Sequence, residues 1–267
     1  MRVTFDTNTL DQAVRPERFP KDVRQTEYFK VKQGLTSGFI EGFFCETIVT
    51  CEGIQKNDRA EVLGSTTLTS KRERVQKEAG EEVVKLTLKS EMPKRKPLHP
   101  EVIERLQAAL KIGMRVLGAP RIGGVRIEDP DNLIYFQEVP NSVAQSERLD
   151  RYFTAASDIE SRGVGFAQIR DFSAKLAQRA GVTEPWYKSL ERATDVHEEN
   201  EVKRAVAEWA DGDSIAAHIG YGIDFFCTED NAKKSNVNSI FNKENRAWLN
   251  EYFGVQIIGL SDLAKMI

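Results

Sequence analysis

The chain has 267 residues, enough to bury a substantial core in one elaborated domain. It is 40% hydrophobic and 30% charged, as a soluble globular protein is, and its formal net charge of −3 argues against a uniformly basic nucleic-acid coat while leaving room for a local basic patch. The longest apolar runs, such as Phe43-Phe44-Cys45, fall far short of the ~20 residues of a membrane span, and the opening residues lack the basic-then-apolar order of a secretory leader. Cys45, Cys51 and Cys227 cannot all pair and have no zinc spacing. They read as small buried hydrophobes of a cytoplasmic protein. His99, His197 and His218 are scattered and form no metal-ligand pattern.

The chain opens on Arg2-Val3-Thr4-Phe5-Asp6, whose alternating apolar and β-branched residues predict a strand over 2–6. Asp6 ends it, and Thr7-Asn8 are helix-capping types. In an open α/β sheet, ligands gather beyond the carboxyl ends of the strands, which is where Asp6 would sit. Residues 11–32 are polar, with Pro16 and Pro20, and read as a broken helix or loop. A strand is expected over 35–44. Residues 46–56 then place Ile48, Val49, Cys51 and Ile54 at roughly helical spacing, which predicts a helix bearing Glu52 between the small neighbours Cys51 and Gly53. Glu41 and Glu46 are the nearest competing acids, and Glu46 suits a helix start.

Residues 58–98 form an inserted β-hairpin arm in this reading, with strands over 61–74 and 81–89 joined through 78–80. Lys71, Arg72, Arg74 and Lys77 cluster toward its tip. Lys94-Arg95-Lys96, bracketed by Pro93 and Pro97, cluster at its base. These cations are candidate contacts for a phosphate backbone or a partner subunit.

An amphipathic helix is expected over 100–117, and short strands over 122–127 and 133–139. Helices follow at 142–161, 165–180, 184–193 and 196–210, so 142–195 is an additional helical region. Asp211-Gly212-Asp213 then leads into a short helix over 214–219, ended by Gly220 and Gly222. A strand at 223–227, a helix at 245–253, a strand at 255–259 and a helix at 261–266 complete an α/β alternation that implies a parallel sheet. The fold class expected is a three-layer α/β/α domain with a mainly parallel central sheet.

Asp6, Glu52, Asp213 and Asp230 all fall at strand ends or helix starts of that sheet. Carboxylates converging there would repel one another unless a hard divalent cation sat among them. Asp211 competes with Asp213 for the third place, and Asp213 is preferred because the apolar helix follows it directly.

These segments resemble the PIN-domain nucleases. Phe5-Asp6-Thr7-Asn8 is similar to that family's opening strand end. The stretch 47–53, with Glu52, resembles the helix bearing its second acid, and Asp213-Ser214-Ile215-Ala216-Ala217 resembles its third motif, an Asp at the start of an Ala-rich helix. Thr228-Glu229-Asp230 after an apolar strand resembles its closing Thr-x-Asp. The likeness covers about 1–56 and 196–267 and leaves the middle, including the arm, as additions. It implies metal-dependent phosphodiester hydrolysis of RNA, with Asp6, Glu52, Asp213 and Asp230 around Mg²⁺ or Mn²⁺ and with Asn8 and Thr228 in support. It also admits a homodimer and an antitoxin-like protein inhibitor.

An inactive PIN-like RNA-binding or scaffold protein is the non-enzymatic alternative, and the presence of all four acids weighs against it. A haloacid-dehalogenase-type phosphatase would use Asp6 as nucleophile but needs an acid two residues on, where this chain has Asn8.

Overall fold

The structure is a computed structural model that describes residues 1–76, 82–119, 127–137, 142–231 and 238–267. The elements in chain order are β1 (Arg2–Phe5), α1 (Thr7–Val14), α2 (Gln25–Thr36), β2 (Glu41–Cys45), α3 (Arg59–Gly64), β3 (Thr67–Gln76), β4 (Glu82–Glu91), α4 (Pro100–Lys111), β5 (Arg115–Leu117), α5 (Ser142–Ser161), α6 (Phe166–Ala180), α7 (Trp186–Ser189), α8 (Val196–Tyr221), β6 (Phe225–Cys227), α9 (Lys243–Phe253), β7 (Gln256–Ile258) and α10 (Leu260–Lys265). The protein is α/β, built on a five-stranded, all-parallel sheet in the order β5-β2-β1-β6-β7. β1 is central, paired with β2 on one side and β6 on the other.

Strand alternation sends side chains to two faces. Val3, Phe5, Phe44, Val116 and Cys227 enter one core with Leu10, Tyr28, Val31, Leu106 and Leu263, so α1, α2, α4 and α10 cover that face. Phe43, Cys45, Leu117 and Phe226 enter the other with Tyr152, Ala155, Ile215, Ala217 and Leu249, from α5, α8 and α9. A third cluster joins the first half of α8 to α3 and α6 through Val62, Leu63, Ile169, Val206 and Trp209. No helix among the described residues is long and apolar enough to cross a membrane.

The chain leaves β1 toward β2 and β5 on one side, and later fills β6 and β7 on the other. The order therefore reverses at β1, and the carboxyl ends of β1 and β6 form the crevice where open parallel sheets bind ligands.

Several expected elements differ, each for a physical reason. Residues 46–56 are not one helix but two short 3₁₀ turns, Glu46–Ile48 and Lys56–Asp58, with a looser turn between. The apolar spacing misleads because it serves two cores: Ile48 and Val49 pack into the first, Cys51 and Ile54 into the third. The helix expected over 100–117 stops at Lys111, because Gly113 turns the chain at φ +92° and releases Val116 and Leu117 as strand β5. Leu35 closes α2 rather than opening a strand, and 59–64 is helix α3 rather than the start of the arm.

α8 runs unbroken through Gly212 and Gly220. A Cβ on Gly212 would lie 3.0 Å from the Gly165 Cα, and one on Gly220 would lie 3.2 Å from the Arg148 carbonyl oxygen. Both glycines thus serve close packing, and only Gly222, at φ +61°, ends the helix.

The arm is a two-stranded antiparallel ribbon of β3 and β4, with Thr67 opposite Glu91. Its expected turn at 78–80 and most of the strand at 122–127 lie outside the described residues, as does the end of the strand at 133–139. Within the last of these, Tyr135 bridges to Val116 in parallel.

Candidate metal centre

Asp6 leaves β1 and caps α1. Its Oδ1 accepts the Thr7 amide at 2.8 Å, a geometry available because Asp6 keeps an extended backbone while the helix begins at the next residue. Its Oδ2 accepts the Asn8 amide side chain and the Thr228 hydroxyl, both at 2.7 Å. These partners orient the carboxylate from both strands of the crevice.

Glu52 arrives on the turn after β2, which is closed by its own N–H to the Thr47 carbonyl at 3.0 Å. Gly53 permits that turn, since a Cβ there would press on the Val49 carbonyl oxygen at 2.7 Å. Glu52 Oε2 accepts the Thr7 hydroxyl, so α1's first residue ties the two acids together. The sequence marks Thr7 only as a helix-capping type and does not show its link to Glu52.

The acid that clusters with Asp6 and Glu52 is Asp211 rather than the expected Asp213. Oxygens of Asp6, Glu52 and Asp211 all lie within 4.8 Å of one another. Positions two apart on a helix face in nearly opposite directions. Asp213 is accordingly outside this group, buried with its Oδ2 accepting the Trp209 indole N–H at 2.9 Å. The expectation of Asp213 rested on a helix starting there. Because α8 begins at Val196 and continues through both residues, the helix start carries no information about the site.

Asp230 is exposed beyond β6, with its N–H on the Thr228 hydroxyl at 3.1 Å. It lies outside the three-acid cluster but close enough for its charge to act on Asp6 and Asp211. Glu46, weighed against Glu52, braces the end of β2 instead: it accepts the Ala119 amide at 2.6 Å and the Tyr135 hydroxyl at 2.8 Å. Glu41 is exposed and pairs with Arg2 at 3.8 Å.

Burial and the neighbouring Glu52 charge push the Asp6 pKa up from 3.8 to about 7. Burial, with Asp6 next, raises Asp211 well above the usual carboxylate range. Burial also raises Glu52, against the opposing pull of the Thr7 hydroxyl and of Arg59, Arg105 and Lys56. Arg59 is 4% exposed and donates to the Lys203 carbonyl at 2.6 Å. It offsets part of the negative charge from behind without an ion pair to any of the acids among the described residues. Three carboxylates this close resist losing their protons together. A hard divalent cation removes that resistance, and oxygen-only donors match Mg²⁺, Mn²⁺ or Ca²⁺ rather than a thiophilic metal. The residues fit such an ion, and nothing in them selects one metal.

The three cations at the base of the arm expected to meet nucleic acid, Lys94, Arg95 and Lys96, are engaged within the chain. Lys94 reaches Glu61 at 3.2 Å and Lys96 reaches Asp58 at 2.8 Å. Arg95 donates to the Val49 carbonyl behind the turn that bears Glu52. Arg95 is therefore a brace of the site's scaffold, held in place by the fold.

No protein-family model, curated protein or solved structure matches the chain.

Proposed function

We propose that the chain is a divalent-metal-dependent nuclease that hydrolyses phosphodiester bonds of RNA. The observation that supports this most is the convergence of Asp6, Glu52 and Asp211 at the reversal point of a parallel sheet, with carboxyl oxygens within 4.8 Å. The reading agrees with the resemblance of the first and last segments to PIN-domain nucleases, with Asp211 taking the third acid's place.

In it, Asp6, Glu52 and Asp211 hold Mg²⁺ or Mn²⁺, and Asp230 extends the charge toward solvent. A bound divalent ion supplies Lewis acidity toward a phosphoryl oxygen and a more acidic water. The protein's part is orientation: Thr228 and Asn8 fix Asp6, and Thr7 fixes Glu52. Asn8 donates to Asp6 and cannot shuttle a proton, which disfavours a phosphatase using Asp6 as nucleophile.

The test is cleavage of a labelled RNA with Mg²⁺, Mn²⁺ or EDTA, for the wild type and for Asp6→Asn and Asp211→Asn. Metal-dependent cleavage lost in both variants supports the proposal. Cleavage in EDTA, or full activity in both variants, overturns it.

A further inference from the structure

Two arginines, on helices that cover opposite faces of the sheet, carry charge toward the acids. On one side is Arg105 of α4, whose charge acts on Glu52. It makes no hydrogen bond or ion pair among the described residues, and its Nε is buried without an acceptor. Leaving a buried guanidinium N–H unpaired is costly, so the position is one an anionic ligand would complete. Lys56, which is exposed, also acts on Glu52.

On the other side is Arg246 of α9. Its Nε donates to the Phe241 carbonyl at 2.9 Å and its Nη2 to the Asp230 carbonyl. Two carbonyl acceptors hold the guanidinium still without neutralising it, and the Asp230 charge acts on it. A hydrogen-bonded chain runs from Asp6 Oδ2 through the Thr228 hydroxyl to the Asp230 N–H, and from the Asp230 carbonyl to Arg246. Arg59 is too deeply buried to serve as a rim contact.

We infer that Arg105 and Arg246 bind the phosphates on either side of the one held over the acids, so that a single nucleic-acid strand crosses the site from α4 to α9. This rests on the nuclease reading and names its substrate class. A strand repeats its negative charge along its length, and here the acid cluster has one arginine acting on Glu52 and another held at Asp230. Arginine suits the task because its planar fork meets phosphate oxygens pairwise.

The experiment is fluorescence anisotropy of a labelled single-stranded RNA 12-mer, with Ca²⁺ in place of Mg²⁺, titrated with salt. Each phosphate contact contributes about 0.7 to the slope of log K against log salt for single strands. Arg105→Gln and Arg246→Gln should each flatten the slope by about 0.7, and the double variant by about 1.4. Affinity at low salt should fall several-fold in each, while Mn²⁺ binding by calorimetry stays within a few-fold of wild type. Arg246→Lys, which keeps the charge, should retain the slope even if the loop it braces loosens. Arg204→Gln, on an exposed part of α8, should leave it unchanged.

Wild-type slopes in both glutamine variants, from a protein that cleaves RNA with Mg²⁺, overturn the strand path and leave the nuclease reading standing. A wild type that neither binds nor cleaves RNA overturns both.

Discussion

Thr228 and Asp6 are 222 positions apart and are joined by a 2.7 Å hydrogen bond in which the Thr228 hydroxyl donates to Asp6 Oδ2. The same hydroxyl accepts the Asn8 side-chain amide at 3.0 Å and the Asp230 N–H at 3.1 Å. One small side chain thus ties the end of β6 to the end of β1 and aims the central carboxylate. Thr228→Val keeps the shape and removes the donor. Mn²⁺ affinity measured by calorimetry should fall by about 10–100-fold, as when an outer support of a metal ligand is lost, and Thr228→Ser should restore most of it. Unchanged affinity in the valine variant would show that Asp6 needs no such support.

Asp211 and Asp213 should separate cleanly. Asp211→Asn should abolish metal binding and leave the fold intact. Asp213→Ala should retain metal binding but lose about 1–3 kcal/mol of stability, because the buried Trp209 indole N–H loses its acceptor. Urea unfolding paired with calorimetry on both variants checks this, and the reverse pattern would return the site to Asp213.

The acid cluster sets a pH dependence in the metal-free protein. Asp6 titrates near 7 when folded against 3.8 ordinarily, and Glu52 and Asp211 are also raised. The folded state therefore keeps protons that the unfolded chain gives up. That contribution is fully present below about pH 4 and is lost as pH rises through about 7. In EDTA, Asp6→Asn should lose less stability than wild type between pH 5 and pH 8 (roughly the span of this titration). Mn²⁺ at about 100 times its Kd should return about 2.7 kcal/mol to the wild type at the upper end. Thermal melts across that range with and without Mn²⁺ decide it, and parallel curves for the two proteins would show the carboxylates to be uncoupled from folding.

His218 works in the opposite direction. It is buried on the second face of the sheet, with Nδ1 3.0 Å from the Thr4 hydroxyl and its ring edge-on to Phe226. Burial depresses its pKa from 6.5 to about 3, aided by Arg2 and opposed by Asp224. Its stabilising contribution is complete above pH 6.5 and is lost as pH falls toward 3, at most on the order of 5 kcal/mol. His218→Gln should be less stable than wild type at neutral pH and should lose less on acidification. The comparison isolates His218, because the acid cluster contributes equally to both proteins. Equal acid sensitivity in wild type and variant would refute the assignment.

Much of the architecture is written in local sequence. Val3 and Phe5 alternate with Thr4 because both enter the first core while Thr4 turns to the other face and meets His218, and the helices α5, α6 and α9 begin and end close to where their patterns place them. Asp6, Glu52 and Asp230 could be singled out as candidates because they follow apolar strands or lie among small neighbours, a local property. What local sequence could not express is which core a residue belongs to. Cys51 and Ile54 have the spacing of a helix shared with Ile48 and Val49, yet they pack on the opposite side of a turn.

Gly212 and Gly220 look like stops, and only the close approach of α8 to Gly165 and Arg148 makes them contact points inside one long helix. That continuity decides between Asp211 and Asp213, since helix rotation, and not sequence order, selects which carboxylate meets Asp6. Residues 6, 52 and 211 form one cluster only once the parallel sheet brings three distant positions within a few ångströms, a distance that a linear pattern does not contain.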